Sequence, residues 1–436
     1  MKLTRILRLA ARSYRALLLA CIATAFPASA RPAPDPEVAG EVLLRLRSTA
    51  DLQPLLAKYA LSLRAQFGSR PIYRVSVGGN ASTHDVIAAL GLEPSVLDAE
   101  PNALHDTPEA RGNMPWAIGE PGAYTAQWAP QALRLPQAHA ASTGKGVRVA
   151  VLDTGIDASH PALAGRVVPG YDFVDGDADP SEAAPSSVSW GHGTHVAGLV
   201  ALAAPGAQIM PLRVLDAQGQ GNAWVLAEAM LYAVDPDGNP TTDDGAQVIN
   251  MSLGSVNRTN LLDTLVRLGG CDMAALTNPL GGFTDPGYNG DRERCGAFGG
   301  ALVIAAAGND GSKRVKQYPA AEGAYALLPV TASTSAHTLA AFANVGSWVD
   351  VAAPGEGITS ALPGGLYGTW NGTSMAAPLA AGVAALVKSV EPGISAKDLA
   401  RRLERNTTAL CGTDAQRQID AVAALTRAAA PGVTCP

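Results

Sequence analysis

Five short runs of small and β-branched apolar residues constrain the fold of this chain more than any other feature. They are "VRVAVLD", "AQIMPLRVLD", "QVINMSLG", "ALVIAAAGN" and "LLPVTAS". Helix-like stretches such as "WVLAEAMLYAV" and "SMAAPLAAGVAALVKSV" alternate with them. A strand with one wet face alternates apolar and polar residues, whereas a strand buried on both faces is apolar throughout. The pattern therefore predicts a parallel β-sheet flanked by helices, an α/β fold. In such folds the reactive groups lie just beyond strand ends.

The 436-residue chain is 47% apolar and only 16% charged, against about 25% charged in ordinary domains. It is long enough for one large core and a small accessory domain. Residues 126–436 carry the apolar runs. Residues 41–102 read as a small α+β unit. "EVLLRLR" and "IYRVSV" are strand-like, "ADLQPLLAKYAL" and "STHDVIAAL" helix-like, and "SVLDAEPN" is a candidate last strand. A Pro-rich segment at 31–40 precedes this unit. Residues 103–125 have no apolar period and read as an exposed, cleavable linker.

The first 30 residues read as a secretory signal peptide. Lys2, Arg5, Arg8, Arg12 and Arg15 precede an apolar stretch at 16–26, and Ala28-Ser29-Ala30 offers the cleavage site. That stretch is too short to span a bilayer. A lipoprotein site at Cys21 is the lesser alternative. Without those five cations, 27 Lys and Arg face 38 Asp and Glu, a balance of −11. Nothing here favours a nucleic-acid partner. Export suits the four remaining cysteines, which allow three pairings. The local one, Cys271–Cys295 with Cys411–Cys435, is preferred because each bond closes a single loop.

Three places could carry chemistry. "VLDTGID" puts Asp153 at the end of an apolar strand. "WGHGTHVAG" puts His192 at the mouth of a helix, and "NGTSMAAP" puts Ser374 at another. A serine hydroxyl needs a base, an imidazole suits near-neutral pH, and a carboxylate fixes the imidazole tautomer. "ALVIAAAGND" ends in Asn309, whose amide could donate to an oxyanion. Read singly, Asp153 is a turn former, Ser374 a helix cap, Asn309 a turn residue, and His192 with His195 a metal pair lacking further ligands. Together and in this order they point to nucleophilic catalysis.

The blocks "VAVLDTGID", "GHGTHVAG", "VIAAAGN" and "NGTSMAAP", in the order Asp, His, Ser, resemble those of the subtilisin-like serine proteases, the subtilase family. The resemblance covers roughly 126–425. It implies a secreted serine endopeptidase in which Asp153 orients, His192 acts as base and then acid, Ser374 attacks, and Asn309 with the Ser374 N–H holds the oxyanion. His160 and His195 take structural places. Gly219-Gln220-Gly221 and Ser252-Leu253-Gly254 resemble the two edges that hold an extended substrate as an added strand. Gln317, in "KQYPA", falls at the floor of the pocket for the residue before the cut, where many relatives have Gly. The resemblance so implies a shallower, more polar pocket. Residues 31–102 resemble the family's inhibitory propeptide, which implies a zymogen and makes that segment the enzyme's first partner. The partners expected are protein or peptide substrates, with the enzyme a monomer free of the membrane.

The chain also departs from the family. Ala162 stands where many relatives place a calcium-binding Asp, and no loop follows the helix after His192. Asp175, Asp177 and Asp179 in one acidic loop, and Asp235, Asp237, Asn239 and Asp243 in another, offer the closely spaced oxygens that calcium takes. Solvated turns are the plainer reading, and no cofactor is required for the chemistry. Residues 255–300 read as a long insertion beside the cleft. Pro378 is expected in the first turn of its helix, where no N–H partner is needed. The rival reading is an inactive protease fold kept for binding. A lipase is excluded by the missing Gly-x-Ser-x-Gly elbow.

Overall fold

The computed structural model describes residues 37–109, 117–182, 189–272 and 288–435; the expected signal peptide lies outside them. The N-terminal unit comprises β1 (Glu37–Leu46), α1 (Leu52–Tyr59), β2 (Leu61–Gln66), β3 (Ile72–Val77), α2 (Thr83–Leu90) and β4 (Val96–Asp106). Its strands pair antiparallel in the order β2-β3-β1-β4. Val42, Leu44 and Leu46 of β1 join Tyr73 and Val75 of β3 beneath Leu52, Leu55, Val86 and Leu90 of the two helices. Leu43, Phe67 and Ile72 face the other way, into a core of the larger body. "EVLLRLR" is thus apolar on successive positions because both faces of its strand are covered.

The larger body begins with β5 (Ala117–Gly119), β6 (Arg148–Asp153), β7 (Tyr171–Asp172), α3 (His192–Ala203), β8 (Gln208–Arg213), β9 (Gln220–Asn222) and α4 (Ala223–Val234). β10 (Val248–Met251), α5 (Asn260–Gly269), α6 (Tyr288–Phe298), β11 (Leu302–Ala306), β12 (Leu327–Ser333), β13 (Val351–Pro354), β14 (Ile358–Leu362) and β15 (Leu366–Trp370) follow. It closes with α7 (Thr373–Val390), α8 (Ala396–Arg405), β16 (Thr407–Leu410), β17 (Thr413–Ile419) and α9 (Ala421–Thr426). The main sheet has the order β16-β17-β13-β12-β11-β10-β6-β8-β7. Every pairing is parallel except β16 with β17. α3 and α7 cover one face, and α4 and α5 the other. All five apolar runs supply strands of this sheet, as their composition predicts.

Four features differ from, or add to, the sequence reading. The segment 103–125 is not one linker: β4 runs on to Asp106, and Ala117–Gly119 pairs with β15. The stretch 255–300 is not wholly an insertion. Leu261, Leu262, Leu265, Val266 and Leu268 give α5 a buried face at helical spacing, so this helix belongs to the core. Both disulfides form in the local pairing, with Cα–Cα distances of 5.7 Å for Cys271–Cys295 and 5.6 Å for Cys411–Cys435. Finally, Pro378 lies inside α7 and not in its first turn. A proline there deprives the carbonyl four residues earlier of its helical donor. That carbonyl belongs to Ser374, and Ser252 Oγ donates to it instead at 2.9 Å.

Candidate active site

The parallel sheet delivers the predicted residues to one end. Asp153 is the last residue of β6, and His192 opens α3. Their side chains meet, with Asp153 Oδ1 2.7 Å from His192 Nδ1, and both are buried. The contact orders the ring: Nδ1 faces Asp153 and Nε2 faces the opposite way. Ser374 lies in the first turn of α7, and Asn309 follows β11. Thr373 aims the Asn309 amide. Its N–H and hydroxyl both donate to Asn309 Oδ1 at 2.9 Å, which fixes the orientation of the amide. His195 and His160 hold structure. Each makes a ring-nitrogen contact with a carbonyl of β15, at Gly368 and Leu366 respectively. Burial, and then the neighbouring His192, push the His195 pKa down to about 3, so this ring is neutral.

A carboxylate that the sequence did not reveal sits among these groups. Glu109 Oε2 accepts from Ser374 Oγ at 2.7 Å and lies 3.1 Å from His192 Nε2. Its Oε1 accepts from Asn309 Nδ2 at 2.9 Å. Gly372 leaves room for it, since a Cβ there would lie 1.8 Å from Glu109 Oε1. Burial alone would lower the His192 pKa. The Asp153 carboxylate, and after it Glu109, outweigh burial and push it up to about 10. In this arrangement His192 is a cation between two carboxylates.

Glu109 arrives there because β4 leaves its own domain. Leu104, His105 and Asp106 pair antiparallel with Asn222, Gly221 and Gln220 of β9. On the other side Asp106 and Gly254 exchange N–H···O bonds of 3.1 and 3.0 Å. The chain's own segment is thus the strand added between the two predicted edges. The edge near β9 is Gln220 to Asn222; Gly219 lies in the preceding turn, at φ +76°. Ser252 and Leu253 are buried behind the cleft, where Ser252 O accepts from Ser374 Oγ at 3.2 Å.

Gln317 is 1% exposed, and neither its Nε2 nor its Oε1 has a partner among the described residues. The side chain lies against two glycines. A Cβ on Gly254 would come within 2.5 Å of Gln317 Oε1, and one on Gly308 within 2.4 Å of Cγ. The amide so lies between the substrate edge and the strand that carries Asn309.

The acidic loops divide. Asp175 pairs with Arg213 at 2.6 Å, while Asp177 and Asp179 accept from groups of their own loop. Among the described residues one group could hold a metal: Asp235, Asp237 and Asp244, with oxygens within 4.8 Å of one another. Asp244 thus stands where Asp243 was expected. Arg294 reaches into this group, 3.4 Å from Asp235 and 3.6 Å from Asp244. Thr242 Oγ1 lies 2.9 Å from both Asp237 oxygens. Arg294 offsets one of the three carboxylate charges, so the group stays anionic, with its oxygens as built engaged by Arg294 and Thr242.

Glu109 reaches the site from a distant segment that no local spacing marks, whereas Thr373 stands beside Ser374 in its own block and Ser252 is expected from the sequence only as a substrate edge. Pro378 is the available signal for the donor role of Ser252, because a carbonyl it strands must find another donor.

A parallel sheet that brings an Asp–His pair, a helix-mounted serine and a side-chain amide to one point defines a serine peptidase. Its family is equally plain: the chain belongs to the subtilases, whose family model (Peptidase_S8, Subtilase family) matches residues 144–424. It is 34% identical over 339 residues to a thermophilic serine proteinase of Bacillus sp. (strain AK1), covering 75% of this chain and 71% of that one. It is 35% identical to thermitase of Thermoactinomyces vulgaris, over 66% of this chain and 90% of that protein. Among solved structures, fervidolysin of Fervidobacterium pennivorans shares the fold, with a TM-score of 0.67 at 22% identity. That alignment covers 91% of this chain and 62% of fervidolysin, so the chain spans less than two thirds of that molecule. The chain is accordingly a subtilisin-family serine endopeptidase. Its chemistry needs no cofactor.

Proposed function

We propose that the chain is the precursor of a secreted serine endopeptidase that cleaves extended polypeptides, and that residues 31–109 hold it latent. The observation that carries this reading is the Glu109 carboxylate. It touches Ser374 Oγ, His192 Nε2 and Asn309 Nδ2 together, so all three groups address one point. A scissile carbonyl at that point meets the nucleophile, the base and the oxyanion donor at once. Ser374 Oγ attacks the carbonyl carbon and its proton passes to His192 Nε2. Asp153 stabilises the resulting imidazolium through Nδ1, and the Asn309 amide holds the oxyanion. His192 then returns the proton to the leaving amine, and water resolves the acyl-enzyme by the same steps.

The substrate lies as the segment 104–106 does, between Gln220–Asn222 and Gly254, with backbone pairing giving broad sequence tolerance. Gln317 narrows that tolerance. A buried amide without partners costs about 1–3 kcal/mol, which a polar side chain before the cut recovers. Maturation cuts the chain beyond β4. Until the N-terminal unit departs, Glu109 occupies the place of the reacting carbonyl. The basic and apolar N-terminal segment and the two disulfides support export. The mature enzyme acts as a monomer. An inactive binding module has no need of Asp153, His192, Asn309 and Ser374 gathered around one point.

The test is casein hydrolysis by the secreted protein and by Ser374→Ala. Hydrolysis and labelling by a serine-directed fluorophosphonate are expected for the parent and absent in the variant. Casein cleavage that survives in Ser374→Ala refutes the mechanism.

A further inference from the structure

One carboxylate gathers four donors around the Asp153–His192 pair and takes no part in the scheme above. Glu182 Oε1 accepts from the Gly191 N–H at 3.1 Å and from Thr154 Oγ1 at 2.5 Å. Its Oε2 accepts from the Thr194 N–H at 3.2 Å and from Thr194 Oγ1 at 2.7 Å. Two of these donors are backbone groups that the start of a helix cannot pair by itself. Gly191 precedes α3 at φ +83° and has no side chain with which to cap it. Glu182 supplies both missing acceptors from an earlier segment of the chain, and the positive end of the helix favours its charge.

The same carboxylate also holds the strand end. Thr154 Oγ1 donates to Glu182 and accepts from the Gly193 N–H at 3.0 Å. The Thr154 N–H donates at 2.8 Å to Asp153 Oδ1, the oxygen that faces His192. Asp153 Oδ2 has no partner among the described residues, so the aim of this carboxylate is set from the Thr154 side. Helix and strand are in direct contact here, for a Cβ on Gly193 would lie 2.0 Å from Gly155 O. Glu182 therefore ties the residue after Asp153 to the residues on either side of His192.

We propose that Glu182 is a positioning residue that holds the Asp153–His192 pair in register through Thr154, Gly191 and Thr194. The inference rests on the reading of Asp153 and His192 as orienting acid and base. Burial pushes the Glu182 pKa up to about 7, against the Thr154 and Thr194 bonds, and the nearby Asp153 charge adds to the rise. The elements it joins carry Arg148, Asp153 and Asp157 on the strand side and His192 and His195 on the helix. Above pH 7 the ionised carboxylate accepts from all four donors. Below it, the added proton points where a donor already lies, and one tie is lost.

The test uses the full chain, allowed to mature, with active sites counted by fluorophosphonate titration so that misfolded molecules drop out. Glu182→Gln keeps the size but turns an NH2 toward backbone donors. Its kcat per titrated site is expected to fall about tenfold, with KM within twofold, because small displacements of a base are costly. The acid limb of its kcat/KM profile is expected at lower pH, since a lost negative charge lowers the His192 pKa. Thr154→Val removes the hydroxyl and should lower kcat in the same way. The double variant should fall no further than the worse single one, as linked groups do. A titrated kcat and an acid limb unchanged in Glu182→Gln overturn the proposal. If that variant yields no titratable enzyme, the same parental result in Thr154→Val overturns it. Failure of the parent itself to label at Ser374 refutes the triad reading and is told apart by that control.

Discussion

At the scale of single residues, the proposed latency of the precursor rests on protonation. His192 is pushed up to about 10 by Asp153 and Glu109 against burial, from an ordinary value of 6.5. A raised value means that the charged form stabilises the closed arrangement fully below pH 6.5, and that this support is lost as pH rises through 10. Departure of Glu109 removes one of the two carboxylates and returns the imidazole toward the range of a base. In a Ser374→Ala precursor, which cannot cut itself, the His192 ring followed by NMR should titrate at lower pH in Glu109→Gln than with Glu109 present. Equal titration in the two proteins would sink the latch. A second prediction concerns Gln317. Gln317→Gly is expected to gain activity on large aromatic residues before the cut and to lose preference for polar ones, read from peptide-library digests. An unchanged preference would remove Gln317 from the pocket. Asp153, His192, Ser374 and Asn309 could be read from the sequence because each sits in its own turn, at a strand end or helix mouth. Glu109 could not, because it acts 83 residues from His192 and 265 from Ser374, through a strand that leaves its own domain.

At the scale of elements, the apolar runs disclosed the strands because a sheet buried on both faces writes itself as uninterrupted hydrophobicity. α5 was hidden for a related reason. In sequence its apolar residues are interrupted by Asp263, Thr264 and Arg267, and Gly- and Pro-rich stretches follow it, so the segment reads as an insertion. The acidic turn after α4 shows the limit of counting carboxylates. Asp235, Asp237 and Asp244 converge, yet Arg294 already sits among them and offsets one of their three charges. A chelator should therefore leave the melting temperature of the parent unchanged. Arg294→Gln removes the built-in cation, so millimolar calcium is expected to raise its melting temperature by a few degrees. A parent that melts lower in chelator would show that the ion enters despite the arginine.

At the scale of the whole molecule, the N-terminal unit is bound by more than the strand in the cleft. Its sheet packs Phe67 edge-on to Trp224 of α4, with ring centroids 5.7 Å apart. Polar groups beside that contact close the mouths of two helices. Asn102 Oδ1 accepts from the Trp224 N–H at 3.1 Å, and Glu100 accepts from the N–H groups of Asn260 and Leu261 at 2.7 and 2.9 Å. Those donors open α5 and have no partner within it. The N-terminal unit thus completes the larger body at two helix ends as well as at the cleft, and cutting the chain beyond β4 leaves all these contacts standing. Release after the cut is then a separate step with its own barrier. Loss of one helix cap costs about 1 kcal/mol, or roughly a fivefold change in an equilibrium. Glu100→Ala should therefore shorten the lag between cutting and full activity about fivefold, with the final kcat unchanged because Glu100 lies away from Ser374. The two events separate experimentally, the cut by gel and the activity by peptide hydrolysis on the same samples. A lag that stays the same in Glu100→Ala would mean that the strand between β9 and Gly254, and not the helix ends, controls release.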